Sequence, residues 1–112
     1  MAYDEHLANR IREKLAGVDG ITEKAMFGGL GFLLRGNMAV GIMSTGDLMV
    51  RVGPDGTEEA LDRSHARPFE MRGRPMKGWV IVEREGVKTK RQLGPWVRRG
   101  TAFAASLTSK GP

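Results

Sequence analysis

"ITEKAMFGGLGFLLRGNMAVGIMSTGDLMVRVG", residues 21–53, decides the fold class. It has no 3.6-residue period. Short apolar runs are broken at Gly28-Gly29, Gly36-Asn37 and Thr45-Gly46-Asp47. In the last run Leu48, Val50 and Val52 fall on one side and Asp47, Met49 and Arg51 on the other, which is the alternation of a strand. Glycine tolerates positive φ, and asparagine does so better than most residues, so Gly36-Asn37 suits a two-residue hairpin loop. The stretch predicts an antiparallel meander of four strands near 21–27, 30–35, 38–44 and 47–52.

On its N-terminal side, "DEHLANRIREKLA" (4–16) carries Leu7, Ile11 and Leu15 at four-residue spacing and predicts a helix capped by Asp4 and ended by Gly17. On its C-terminal side, residues 54–64 predict a short helix with Asp55 or Thr57 as cap. "RPFEMRGRPMKG" (67–78) reads as a turn-rich connector and "WVIVE" (79–83) as a strand buried on both faces, with Trp79 in the core. A last helix spans about 94–108, with Pro95 at its first position and Trp96, Gly100, Phe103 and Leu107 on one face. Gly100 is costly within a helix unless it allows close approach to the sheet. The order helix, strands, helix, strand, helix predicts an α+β domain with helices laid against a mostly antiparallel sheet of about five strands.

A length of 112 residues fits one domain. The chain has no cysteine, which excludes disulfides and thiolate metal sites and agrees with a reducing cytoplasm. The charged N-terminus has no apolar h-region, and no apolar run approaches the ~20 residues that span a bilayer. A soluble cytoplasmic protein is expected. Residues 1–62 hold 6 Lys/Arg against 10 Asp/Glu (net −4) and residues 63–112 hold 12 against 3 (net +9), giving +5 overall. A basic half of this kind suits either a nucleic-acid face or a surface docking on an acidic one.

The basic half contains Arg72-Gly73-Arg74-Pro75, the core of the minor-groove clamp called the AT-hook. A free hook orders on DNA from a disordered segment. Here Phe69, Met71, Met76 and Trp79 flank the tetrapeptide, and a structured loop is expected. Its cations remain candidates for phosphate contact with others of the same half: Arg72, Arg74, Lys77, Lys88, Lys90, Arg91, Arg98 and Arg99. "FGGLGF" (27–32) is followed by no Lys-Ser/Thr and no helix, so it reads as a turn rather than a phosphate loop. His6 and His65 stand alone, and no serine has an activating context. No catalytic residue, metal ligand or cofactor site is assigned. Six internal methionines fall in or beside the strands. Most are expected to fill core gaps, with Met43 and Met49, beside Arg51, exposed as an adaptable partner surface.

"AMFGGLGFLLRGNMAVGI", "LMVRVG", "ARPFEMRGRPMKGWVIV" and "WVRRGTAFAASL" follow one another as in the TfoX/Sxy N-terminal domain family, which the chain resembles over about residues 3–108. The resemblance implies a two-layer sandwich, similar to secretion-chaperone-like folds, in a domain type that often pairs into dimers. Its named members are regulators of competence for DNA uptake. They act with a transcription factor, the cyclic-AMP receptor protein, and carry a second, C-terminal domain that is not expected here. The resemblance carries no catalytic motif. The leading expectation is a non-enzymatic domain working by protein–protein contact, with a role in transcription or competence regulation. Direct nucleic-acid binding through the basic half is the alternative.

Overall fold

The computed structural model describes residues 3–108. Its elements are α1 (Glu5–Leu15), β1 (Ile21–Met26), β2 (Gly29–Leu34), β3 (Asn37–Ile42), β4 (Leu48–Arg51), α2 (Thr57–Leu61), β5 (Ala66–Met71), β6 (Arg74–Val82) and α3 (Lys90–Ala105). Short 3₁₀ turns at Pro54–Gly56 and Arg84–Gly86 precede α2 and α3. The strands form one antiparallel sheet in the order β1-β2-β3-β4-β6-β5. The domain is α+β, as expected, with six strands instead of about five.

The additional strand is β5, in the stretch expected to be a connector. Pro68 and Pro75 disguise it. β5 is an edge strand, where proline withholds no bond the sheet needs, and its ladder with β6 shifts register between Pro68 and Glu70. It lacks an apolar alternation because four of its six residues are exposed.

Three hairpins close on the same two-residue turn. Phe27-Gly28, Arg35-Gly36 and Arg72-Gly73 all have positive φ at both positions, the pattern of a type I′ turn. The β2–β3 turn therefore lies one residue earlier than expected. Asn37 is instead a buried strand residue, and its amide donates to the Thr108 carbonyl at 2.9 Å.

One sheet face is sealed by helices. Leu7, Ile11 and Leu15 of α1 and Leu93, Trp96 and Val97 of α3 pack on Phe32, Val40, Val50 and Val80. Asp4 caps α1 as expected, accepting from the His6 and Leu7 amides. Gly17 does not adopt the left-handed cap, and the positive φ falls on Gly20. Thr57 is not a side-chain cap. Its hydroxyl donates to the Gly53 carbonyl and accepts from the Gly78 amide, tying α2 to β6. Helix α3 begins earlier than expected, on a Thr89–Gln92 capping box that places Pro95 inside the helix. A proline there removes one helical hydrogen bond, the one Arg91 would accept.

Gly100 explains how α3 lies so near β3. A Cβ at this position would overlap the Ala39 carbonyl oxygen and stand 2.8 Å from Val40 Cγ1. Gly100→Ala is therefore expected to destabilise the fold by about 1–3 kcal/mol through overpacking, although alanine is the better helix former. Urea denaturation against wild type reads the sign, and an equal or higher midpoint would refute the close packing.

The Arg12 guanidinium donates through Nε and Nη2 to both Glu23 carboxylate oxygens at 2.8 Å, tying α1 to β1. This hydrogen bond holds the Glu23 carboxyl below its ordinary value. Its stabilisation is thus present above the unfolded-state pKa and disappears as pH falls through the lower folded-state value. The pair is partly solvent-exposed, so after screening the loss in Glu23→Gln should be about 0.5 kcal/mol at neutral pH. Thermal melts should show this gap closing in acid, and a gap that widens there would contradict the assignment.

Candidate functional site

The opposite sheet face is open. Strand alternation turns Leu30, Phe32, Val40, Ile42, Leu48 and Val50 towards the helices and leaves Gly31, Gly41 and Met49 on the other side. Gly31 and Gly41 are direct partners across β2 and β3, so the middle of this face has no side chain. The result is a groove of about 470 Å³. Met26, Met38, Met43, Met49, Met71 and Met76 all line it, with Phe27, Phe69 and Trp79. The only polar side-chain groups in its lining are the Ser44 hydroxyl and the Trp79 indole N–H, and no charged residue lines it.

All six internal methionines are therefore in this groove, and none belongs to the buried core. Most had been expected to be core gap-fillers. Met43 and Met49, singled out as a partner surface, do line it, half-buried. The methyl groups crowd its floor: a Cβ at Gly31 would stand 2.6 Å from Met38 Cε and 3.1 Å from Met26 Cε. Trp79 is not a core residue. It is half-buried, forms part of the groove wall and stacks tilted on Phe69 with ring centroids 6.3 Å apart. The core aromatics are Phe32 and Trp96. Arg51 stands over the Trp79 ring at 5.2 Å and the Phe103 ring at 5.4 Å, a cation–π bracket beside the groove.

The expected cation set is divided by the fold. Arg72, Arg74 and Lys77 are exposed at the β5–β6 tip, and none of them makes an ion pair among the described residues. Lys88, Lys90 and Arg91 lie at the start of α3, beyond the far end of the nine-residue β6, whose end is roughly 25 Å along the strand from Arg74 and roughly 17 Å from Lys77. Lys90 pairs with Glu13 at 3.0 Å, and Arg99 pairs with Glu59 at 2.5 Å while lying over Trp96. The Arg99 hydrogen bond is also what holds the Glu59 carboxyl below its ordinary value. Arg98 turns towards Lys14 on the other flank of α3. The AT-hook tetrapeptide is pinned in the sheet: Arg72-Gly73 is the turn and Arg74-Pro75 opens β6. His6 lies in α1, and His65 precedes β5 at positive φ.

The sequence profile of the TfoX N-terminal domain matches residues 13–104. The chain belongs to this family. No curated protein matches it. For this TfoX N-terminal domain, the groove had one legible signal, the methionine count. In the sequence Phe27 and Gly31 lie in the stretch 27–32 that reads as a turn, and nothing local marks Gly41.

Phe27 is a conspicuous wall residue. It is 97% exposed and holds φ 49°, a conformation that L-residues other than Asn and Asp rarely adopt. Both features work against the isolated domain. Phe27→Asn should raise its stability by about 0.5–1 kcal/mol, because asparagine suits the first position of a type I′ turn. Calorimetric melting tests this, and a lowered Tm would mean that the ring supports the fold.

Proposed function

We propose that this TfoX N-terminal domain is a non-enzymatic protein-interaction module acting in transcription or competence regulation, with the open sheet face as its contact surface. The carrying observation is the gathering of every internal methionine into one uncharged groove. Thioether side chains are flexible and polarizable, and they suit a surface that must adapt to a partner. An apolar depression on a half-covered sheet is where further burial gains most. Family membership supports the regulatory setting. The cysteine-free composition fits action in the cytoplasm. The candidate partners are a transcription factor and a second copy of the chain.

Direct nucleic-acid binding has less support. Phosphate contact draws on cations acting together, and here Arg72 and Arg74 are the length of β6, and Lys77 about half of it, from Lys88, Lys90 and Arg91.

Because methionine marks the groove, a diazirine analogue of methionine incorporated during expression reports what covers it. Irradiation of cells should give protein adducts through these positions, reduced in Trp79→Asp. In parallel, labelled duplex DNA should show only weak anisotropy changes that vanish at physiological salt. Absence of protein adducts, together with salt-resistant DNA binding lost in Arg72→Ala/Arg74→Ala, would replace this reading with the alternative.

A further inference from the structure

From the groove and its rim, we infer that the occupant is an acidic amphipathic helix of a partner protein, lying across the open face from the Phe27 turn to the β5–β6 tip. The inference rests on the interaction reading above and specifies the partner's chemistry.

The lining dictates the backbone form. A strand or irregular segment laid on this face would bring a row of amide and carbonyl groups against methionine, aromatic rings and bare glycine, with only the Ser44 hydroxyl and one indole N–H to answer them. Each unanswered backbone group would be lost from water without compensation. A helix satisfies its own backbone and presents only side chains. The paired Gly31 and Gly41 add no side chain of their own to the floor, and the Met26, Met38 and Met49 methyl groups lying over them are flexible ends that a ridge of apolar side chains can displace. The β1–β2 turn and the β5–β6 tip lie at opposite edges of the sheet and at opposite ends of its strands, so the helix lies diagonally, and the four or more strand spacings between them, roughly 20 Å, set its least length.

The rim dictates the charge. At one end stand Arg72, Arg74 and Lys77, exposed and with no ion pair among the described residues, around the exposed Met71 and Met76. Along the other edge Lys24 shares the face of Met26 by alternation and is likewise exposed and without an ion pair there. The nearby acids are committed elsewhere. Asp47 accepts from the Arg84 amide and pairs with Arg67, and Glu83 also pairs with Arg67. Glu70 lies between Phe69 and Met71, so it points to the opposite side. An apolar floor with free positive charge at its borders complements a helix with an apolar stripe and Asp/Glu on its flanks.

The test is selection from a displayed library of random 18-residue peptides against the full chain. A Gly31→Phe variant, its fold checked by circular dichroism, serves as the filled-groove control. Enriched peptides should carry apolar residues at i, i+4 and i+7 with an excess of Asp/Glu. In ¹³C-methyl-methionine spectra of the wild type, the best peptide should shift the six internal methionine ε-methyl signals. Arg72→Glu/Arg74→Glu should weaken that peptide at least tenfold, and Lys88→Glu/Lys90→Glu should leave it unchanged. Enrichment of neutral or basic peptides, or indifference to the Arg72/Arg74 reversal, would overturn the acidic-helix inference while the interaction reading stands. Methionine signals that move with protein concentration alone, accompanied by sedimentation as a dimer, would give the face to a second copy and overturn it too. No enrichment over Gly31→Phe and no methyl shifts would overturn both.

Discussion

A single β-sheet has two faces, and the helices of this chain cover one of them. Everything else about the molecule follows from how that asymmetry is managed. On the covered face the fit is rigid and close: α3 approaches β3 so nearly that Gly100 has no room for a methyl group. Branched and aromatic residues, Val40, Val50, Val80 and Phe32, fill the space between the layers. On the uncovered face the residue choice changes to methionine, glycine and three aromatic rings along a groove. Both faces are apolar, but only the first is packed in the manner of a protein interior.

Much of the covered side was legible in the sequence. The alternation in Leu48–Val52, the four-residue spacing in α1 and the cap at Asp4 each express one local rule, and each element formed where that rule placed it. The misplacements have separate causes, a tertiary contact at Asn37, an earlier local cap at Pro95 and strand alternation at Trp79. Asn37 looked like a turn residue, but the turn is Arg35-Gly36 and Asn37 opens β3 with its amide donating to the Thr108 carbonyl. Pro95 looked like a helix start, yet Thr89 and Gln92 began the helix a turn and a half earlier. Trp79 looked like a core residue because its neighbours are, and strand alternation put it on the other side. A groove assembled from residues far apart in sequence leaves no local pattern beyond the number of its methionines.

The basic half shows how proximity in sequence misleads about proximity in space. The cations of residues 72–77 and those of 88–91 are joined by β6, which begins at Arg74 and ends at Val82, and one short turn, and a strand is the most efficient way a chain has of carrying charges apart. The two groups also differ in their surroundings. At the start of α3, Lys90 answers Glu13, and further along the helix Arg99 answers Glu59, so part of that charge ties elements together. At the hairpin tip the cations have no such partner among the described residues. A tetrapeptide that would serve as a DNA clamp in a disordered tail is here the apex of a hairpin, its first arginine fixed at positive φ.

The choice of methionine over leucine at the groove has a physical consequence. Leucine would close over Gly31 and Gly41 with fewer rotamers and set one contour. Methionine leaves the walls able to move, at the expense of a well-defined surface in the unbound domain. Met38 and Met26 already lean their methyl groups over Gly31, so the groove partly fills itself when nothing else is there. That self-filling lowers the cost of exposing apolar area to water and leaves methyl groups that a partner displaces rather than a pocket it must match. Phe27 has no such option, being exposed and held at positive φ at the edge. A soft floor beside a turn whose backbone is fixed suits a surface in which the methionines conform to an incoming helix.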